Sequence, residues 1–122
     1  MEKLVLIIDD DADIRDDVKW AVGKKIPSAS TIEASNKTDA LELIRRFRDK
    51  IFAVVCDGNL GDGELFAGLD ILDEAKSNGI NNLIFFSVSA HRVPEERRQE
   101  DIHYTDSFEE VLSLLEGMNN AQ

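Results

Sequence analysis

The chain has 122 residues, enough to bury one core of its own, and its hydrophobic content of 43% is ordinary for a globular protein. It carries 14 Lys and Arg against 25 Asp and Glu, which gives a net charge of −11. Such a surface repels nucleic-acid phosphates and anionic lipid, so direct binding of nucleic acid or of a membrane is not expected.

The cysteine content and the start of the chain both bear on location. Cys56 is the single cysteine and lies within an apolar run, which suits a buried structural thiol in a reducing compartment. No signal peptide follows Met1, and no apolar run approaches membrane-spanning length. We therefore expect a cytoplasmic protein, with residues 1–122 forming one domain.

Short apolar runs alternate with stretches of helical periodicity along the chain, and this alternation is typical of an α/β fold with a parallel sheet. The runs predict strands because they are continuously apolar, like strands buried on both faces. In chain order we expect a strand at 4–8, a helix at 13–22, a weaker strand at 28–34, a helix capped by Asn36, a strand at 51–56, a helix at 68–77, a strand from 83 running towards Ser89, a short strand at 102–104, and a last helix that begins with a capping box of Ser107 and Glu110.

The segment between the last two strands departs from this pattern. Residues 94–100 offer no apolar face, and a helix that is polar all round gains nothing by packing on a sheet. The connection is also close to the minimum length for a parallel crossover. We expect a shortened, mobile or irregular element in place of a fourth helix.

Acidic residues follow two of the predicted strands at the point where each strand ends. Asp9 and Asp10 come after the first strand, and Asp57 comes after the third. Neighbouring strands lie about 4.8 Å apart, so these carboxylates can meet at one edge of the sheet, where ligands of open α/β folds bind. Clustered carboxylates repel one another unless a cation joins them, and Mg²⁺ favours a few carboxylates plus a phosphate oxygen.

Two segments resemble the signature segments of the receiver domain of bacterial response regulators. Residues 6–15 (LIIDDDADIR) are similar to the opening acidic signature of that family, and residues 54–60 (VVCDGNL) are similar to its phosphoacceptor strand and loop. The resemblance extends over essentially the whole chain. It implies a flavodoxin-like, doubly wound, five-stranded parallel sheet in a three-layer sandwich.

The resemblance also implies roles for individual residues. Asp57 would accept a phosphoryl group on its carboxylate, while Asp9 and Asp10 would hold Mg²⁺ directly or through water. The backbone carbonyl of Asn59 would complete the protein's share of the metal ligands. The family uses a hydroxyl at the end of the fourth strand to contact the phosphoryl group, and Ser89, followed by Ala90, fits that pattern best, with Ser87 as the competing register.

One family feature is missing from the sequence. Receivers carry a lysine at the end of the fifth strand, but no lysine follows Lys76 in this chain. Tyr104 or Thr105 stands near that place, and neither side chain supplies a positive charge.

The leading hypothesis is a stand-alone receiver domain of a two-component phosphorelay, phosphorylated by a histidine kinase or a histidine phosphotransfer protein. It would signal through contacts with a downstream protein that the sequence does not identify, and it would at most assist its own phosphorylation and dephosphorylation. The missing lysine favours a second hypothesis, a pseudo-receiver interaction module that does not switch on phosphorylation. A third is a small Mg²⁺-dependent phosphatase, although Asn59 stands where such an enzyme needs an acid/base aspartate.

Overall fold

A computed structural model describes residues 3–61 and 66–121 of the chain. Strands and helices alternate in the expected order. They are β1 (Lys3–Ile8), α1 (Ala12–Lys25), β2 (Ala29–Ala34), α2 (Lys37–Phe47), β3 (Ile51–Cys56), α3 (Ala67–Ser77), β4 (Asn82–Phe86), β5 (Ile102–Thr105) and α4 (Phe108–Asn120).

The five strands form one parallel sheet in the order β2-β1-β3-β4-β5. The central strands β1 and β3 are almost wholly buried, as their continuously apolar sequences predict. Helices α2 and α3 pack on one face of the sheet, while α1 and α4 pack on the other. The chain leaves β1 for β2 on one side and returns to β3 on the other, so the topological switch point lies between β1 and β3.

The helix starts follow the capping residues of the sequence. The side chain of Asp11 accepts a hydrogen bond from the backbone N–H of Asp13 at the start of α1, and that of Asn36 accepts one from Asp39 at the start of α2. Ser107 accepts one from the N–H of Glu110 at the start of α4. None of the helices in the described ranges is long and apolar enough to cross a membrane.

The connection from β4 to β5 holds two short 3-10 turns, Ala90–Arg92 and Glu95–Arg97, in place of a fourth α-helix on that face. The expectation of an irregular element is confirmed. Ala90 and Val93 are buried against the sheet, which gives this otherwise polar segment an apolar anchor.

Strand β4 ends earlier than the sequence suggested. It stops at Phe86, because the chain turns at Ser87: the N–H of Ser87 makes a last bond to the carbonyl of Thr105, and its carbonyl accepts from the N–H of Ala90 in the turn. The expectation that the strand continues towards Ser89 is therefore wrong.

Candidate phosphoacceptor and metal site

The acidic residues expected to converge do so at the carboxyl edge of the sheet. Ile8 pairs with Cys56 in the register of β1 and β3, so the residues that follow them, Asp9 and Asp57, leave the sheet side by side. Carboxylate oxygens of Asp9, Asp10 and Asp57 all lie within 4.8 Å of one another. The structure thus brings the three predicted metal ligands together at the switch point.

Asp9 is the most buried of the three carboxylates. Only 7% of its surface is exposed, and its Oδ1 accepts a hydrogen bond of 2.9 Å from the N–H of Asp11. Burial raises the pKa of Asp9 from 3.8 to about 6, the hydrogen bond from Asp11 opposes this rise, and repulsion from Asp57, Asp10 and Asp11 adds to it. The guanidinium of Arg15 lies nearby but donates to the backbone carbonyl of Asp9 and to Glu33, not to the Asp9 carboxylate.

Asp57 is half-buried, so it is more accessible to solvent than Asp9. Burial raises its pKa above the ordinary aspartate value, while hydrogen bonds from the N–H of Asn59, the hydroxyl of Ser87 and the N–H of Gly58 lower it. The bond from Asn59 is long, at 3.4 Å. The Asp57 carboxylate also lines a cavity that an incoming group can enter.

The donor set fits a hard divalent cation. Three carboxylates converge, and no Lys or Arg of the described residues lines the cavity with them. Burial raises the pKa values of Asp9 and Asp57, which disfavours their charged forms. A divalent ion would relieve that cost, and oxygen ligands of this kind suit Mg²⁺. The backbone carbonyl of Asn59 as a further ligand stays a prediction.

Two glycines shape the backbone around the carboxylates. Gly61 has a positive φ of 76°, and a Cβ there would come within 2.9 Å of an oxygen of Asp10. A Cβ on Gly68, at the start of α3, would come within 2.1 Å of the Asp57 carbonyl oxygen. The loop and the helix can therefore approach the acidic residues this closely because neither position carries a side chain.

The hydroxyl beside Asp57 belongs to Ser87. Ser87 is buried, contacts the Asp57 carboxylate and directly follows β4. Ser89 lies beyond it, with its hydroxyl 3.0 Å from the Ser87 hydroxyl. Ser89 as the phosphate-contacting hydroxyl stays a prediction, and the geometry favours the competing register at Ser87, which directly follows β4 and lines the cavity.

These residues open into a cavity of about 310 Å³. Its acidic and hydroxyl groups come from Asp9, Asp10, Asp11, Asp57, Ser87 and Asp106. Its apolar wall is formed by Ile14, Phe86 and Val88, and Val88 is 86% exposed at the rim.

Asp106 is the site residue that the sequence interpretation missed. It directly follows β5, so it occupies the position at its strand end that Asp9, Asp57 and Ser87 occupy at theirs. Thr105, expected near this place, is instead buried, and its hydroxyl accepts from the N–H of Ser107. The half-buried ring of Tyr104 packs against Phe85 of the core. The rule that the residue after each strand faces the cavity would have identified Asp106, had the end of the short β5 been located.

Comparison with solved structures identifies the architecture. A response regulator receiver domain protein from Clostridium thermocellum superimposes with a TM-score of 0.70 at 22% sequence identity, over 98% of this chain and 93% of the other. The chain has the receiver-domain fold. A signal receiver domain from Vibrio parahaemolyticus matches with a TM-score of 0.65 at 19% identity, over 99% of this chain and 95% of the other.

A third match comes from a larger protein. The anti-anti-sigma factor PhyR from Bartonella quintana matches with a TM-score of 0.69 at 18% identity, over 99% of this chain but only 49% of its own length. No family model matches the sequence, and no curated protein matches it either. The resemblance seen in the sequence is thus confirmed for the fold, and function depends on the site.

Proposed function

We propose that this chain is a phosphoacceptor receiver domain that takes a phosphoryl group on Asp57 with the help of Mg²⁺. The observation that carries the proposal is the convergence of Asp9, Asp10 and Asp57 within 4.8 Å at the switch point of a receiver-like sheet. Ser87 adds a hydroxyl beside Asp57 in the same cavity. A carboxylate nucleophile beside a cation site and a hydroxyl is what an aspartyl-phosphate reaction requires.

In the proposed reaction, an oxygen of the Asp57 carboxylate attacks the phosphorus of the donor. The new P–O bond forms as the bond between phosphorus and the donor's nitrogen or oxygen breaks, and the donor keeps that electron pair. Ser87 would donate a hydrogen bond to a phosphoryl oxygen. Bound at Asp9, Asp10 and Asp57, Mg²⁺ would supply the positive charge that lets two anionic groups meet.

The partners follow from this chemistry. A histidine kinase or a histidine phosphotransfer protein in the cytoplasm would provide the phosphoryl group as a phosphoimidazole. The rest of the chain carries no second cluster of metal-ligating side chains within the described ranges. The chain's own chemistry would be confined to its phosphorylation and dephosphorylation, with the output passing through contact with another protein.

A second candidate function is a receiver-like interaction module that binds a metal ion without switching on phosphorylation. The position of Asp106 favours it, because an additional carboxylate lines the cavity and no Lys or Arg among the described residues does. A phosphoryl group on Asp57 would then gain no direct ion pair from the protein.

Intact mass measurement tests the first of these functions. The purified chain is incubated with acetyl phosphate and MgCl₂, beside an EDTA sample and an Asp57→Asn variant. The proposal predicts the mass gain of one phosphoryl group, dependent on Mg²⁺ and absent from the variant. No gain in the wild-type chain, or an equal gain in the Asp57→Asn chain, would reject Asp57 as the phosphoacceptor.

A further inference from the structure

The cavity around Asp57 is lined by several acidic residues and by no Lys or Arg of the described residues. Asp9, Asp10, Asp57 and Asp106 line it, and its remaining walls are hydroxyl, apolar or acidic. Two arginines lie close to the lining residues, Arg15 beside Ile14 in the sequence and Arg98 in a neighbouring cavity that shares Asp106, and both are engaged elsewhere. Arg15 bonds to the Asp9 carbonyl and Glu33, and Arg98 bonds to the carbonyls of Ala90 and Val93.

Asp106 itself is exposed and forms no hydrogen bond or ion pair within residues 3–61 and 66–121. It lies between the cavity around Asp57 and a second cavity of about 220 Å³, which Arg98 and Tyr104 also line. The Arg98 guanidinium stacks over the Tyr104 ring at 4.8 Å, so its position is fixed by that ring and by the loop carbonyls. The negative charge of Asp106 is therefore not paired with a described cation, and it lies in the wall of the cavity that a metal ion or a phosphoryl donor would enter.

We propose that Asp106 sets the chemical preference of this cavity, strengthening its hold on a divalent cation and slowing phosphoryl transfer to Asp57. This inference rests on the proposed function, because it concerns the rate of that same transfer. The physical reason is that the two ligands, a divalent cation and a phosphoryl group, carry opposite charges. A carboxylate attracts the cation and repels the phosphoryl donor and the phosphorylated product, both of which are anions.

The expected size of the effect follows from the exposure of Asp106. Solvent screens an exposed charge, so neutralising it should change the transfer rate by about threefold and reversing it by about tenfold. The same screening makes the effect depend on salt, and it should shrink as the ionic strength rises above that of a dilute buffer. A purely structural role of Asp106 would not produce this graded, salt-dependent pattern.

The test compares Asp106→Asn, Asp106→Lys and Asp49→Lys with the wild-type chain. Asp49 is exposed in the turn before β3, at the opposite edge of the sheet, so Asp49→Lys matches the net charge of Asp106→Lys without touching the cavity. Two quantities are measured: the dissociation constant for Mg²⁺ by titration calorimetry, and the initial rate of adduct formation with acetyl phosphate by intact mass. Each rate is taken at a saturating Mg²⁺ concentration for that variant, so that weaker metal binding does not mask faster transfer.

The proposal predicts opposite changes in the two measurements. Mg²⁺ affinity falls from wild type to Asp106→Asn to Asp106→Lys, and the transfer rate rises in the same order, while Asp49→Lys changes neither by as much as Asp106→Asn does. Added NaCl should bring the variant rates closer together. Asp106→Asn separates loss of the negative charge from any new contact made by a lysine.

The outcomes distinguish this inference from the proposed function. If the wild-type chain forms the adduct and the Asp106 variants form it at the same rate, the inference is overturned and the phosphoacceptor function stands. If Asp49→Lys accelerates transfer as much as Asp106→Lys, the effect belongs to net charge and the role of Asp106 is again overturned. If no chain forms an adduct, Asp106→Lys included, the proposed function fails. An adduct in Asp106→Lys that far exceeds the wild-type level supports both.

Discussion

At the scale of single residues, the site is built from positions that directly follow strands. Asp9 follows β1, Asp57 follows β3, Ser87 follows β4 and Asp106 follows β5. Parallel strands end at the same edge of the sheet, so these four side chains share one cavity although the chain separates them widely. Their chemistry differs, and so do the consequences of replacing each one.

Ser87→Ala should slow phosphorylation of Asp57 by about tenfold, because it removes a hydrogen bond to a charged oxygen. Ser89→Ala is the matched control. The Ser89 hydroxyl contacts that of Ser87 rather than lining the cavity, so its loss should have the smaller effect. The check is the initial rate of adduct formation in the two variants. A larger loss in Ser89→Ala would return the role to the register that the sequence first suggested.

Asp9 gives a stability prediction with a defined pH dependence. Its pKa is about 6 in the folded chain, chiefly because of burial, against 3.8 as the ordinary value. A carboxyl with a raised folded-state pKa binds its proton more tightly when folded. Its contribution to the free energy of unfolding is therefore close to zero below pH 3.8. It becomes increasingly unfavourable as the pH rises from 3.8 to about 6, and it stays unfavourable above that range.

Replacing Asp9 by Asn should consequently stabilise the metal-free chain at neutral pH by about 2 kcal/mol. The gain should nearly vanish at about pH 4, where Asp9 is close to neutral in the folded protein. Urea unfolding in EDTA at both pH values measures it. Equal stabilisation at the two pH values would contradict burial of the charge as the cause.

At the scale of elements, the sequence predicted the parts of the fold with strong local patterns. The runs at 4–8 and 51–56 are continuously apolar and are the buried strands β1 and β3. The predicted capping residues Asn36 and Ser107 each cap a helix. These patterns are local, so they can be recognised in the sequence without knowledge of tertiary contacts.

The residue at which a strand ends, in contrast, depends on contacts with other parts of the chain. β4 ends at Phe86 because the chain turns at Ser87, whose carbonyl accepts from the N–H of Ala90, and that turn cannot be inferred from the run that contains Ser87 and Ser89. The end of β5 posed the same problem, which is why Asp106 was overlooked in favour of Thr105. The interpretation therefore brought Asp9, Asp10 and Asp57 together, offered Ser87 only as the competing register to Ser89, and did not name Asp106.

The connection between β4 and β5 depends on Arg98. Its guanidinium donates to the carbonyls of Ala90 and Val93 and stacks over Tyr104, which holds both 3-10 turns against the sheet. Arg98→Ala should cost about 1 kcal/mol of unfolding free energy. It should also speed amide hydrogen exchange between residues 89 and 98.

Arg97→Ala is the matched control for that experiment. Arg97 pairs with Asp70 through side chains that are each 44% exposed, and such surface pairs contribute little to stability. Comparable exchange in the Arg97 and Arg98 variants would show that the segment is held by its buried residues Ala90 and Val93 alone.

At the scale of the whole molecule, the fold and the charge act on the site in different ways. The parallel sheet brings distant acidic residues to one edge, and a chain with a net charge of −11 has a favourable field for cations around that edge. The same field opposes the approach of an anionic phosphoryl donor. Binding of a divalent ion is therefore the condition on which the proposed transfer depends, and the fold alone does not decide whether it occurs.

The most direct test of the central claim is to map the site of phosphorylation. The chain is incubated with acetyl phosphate and MgCl₂, reduced with borohydride, which converts an aspartyl phosphate to homoserine, digested and sequenced by mass spectrometry. We predict homoserine at position 57, dependent on Mg²⁺, with Asp9, Asp10 and Asp106 unchanged. Homoserine at any of those three positions, or none anywhere, would contradict the assignment of Asp57 as the phosphoacceptor.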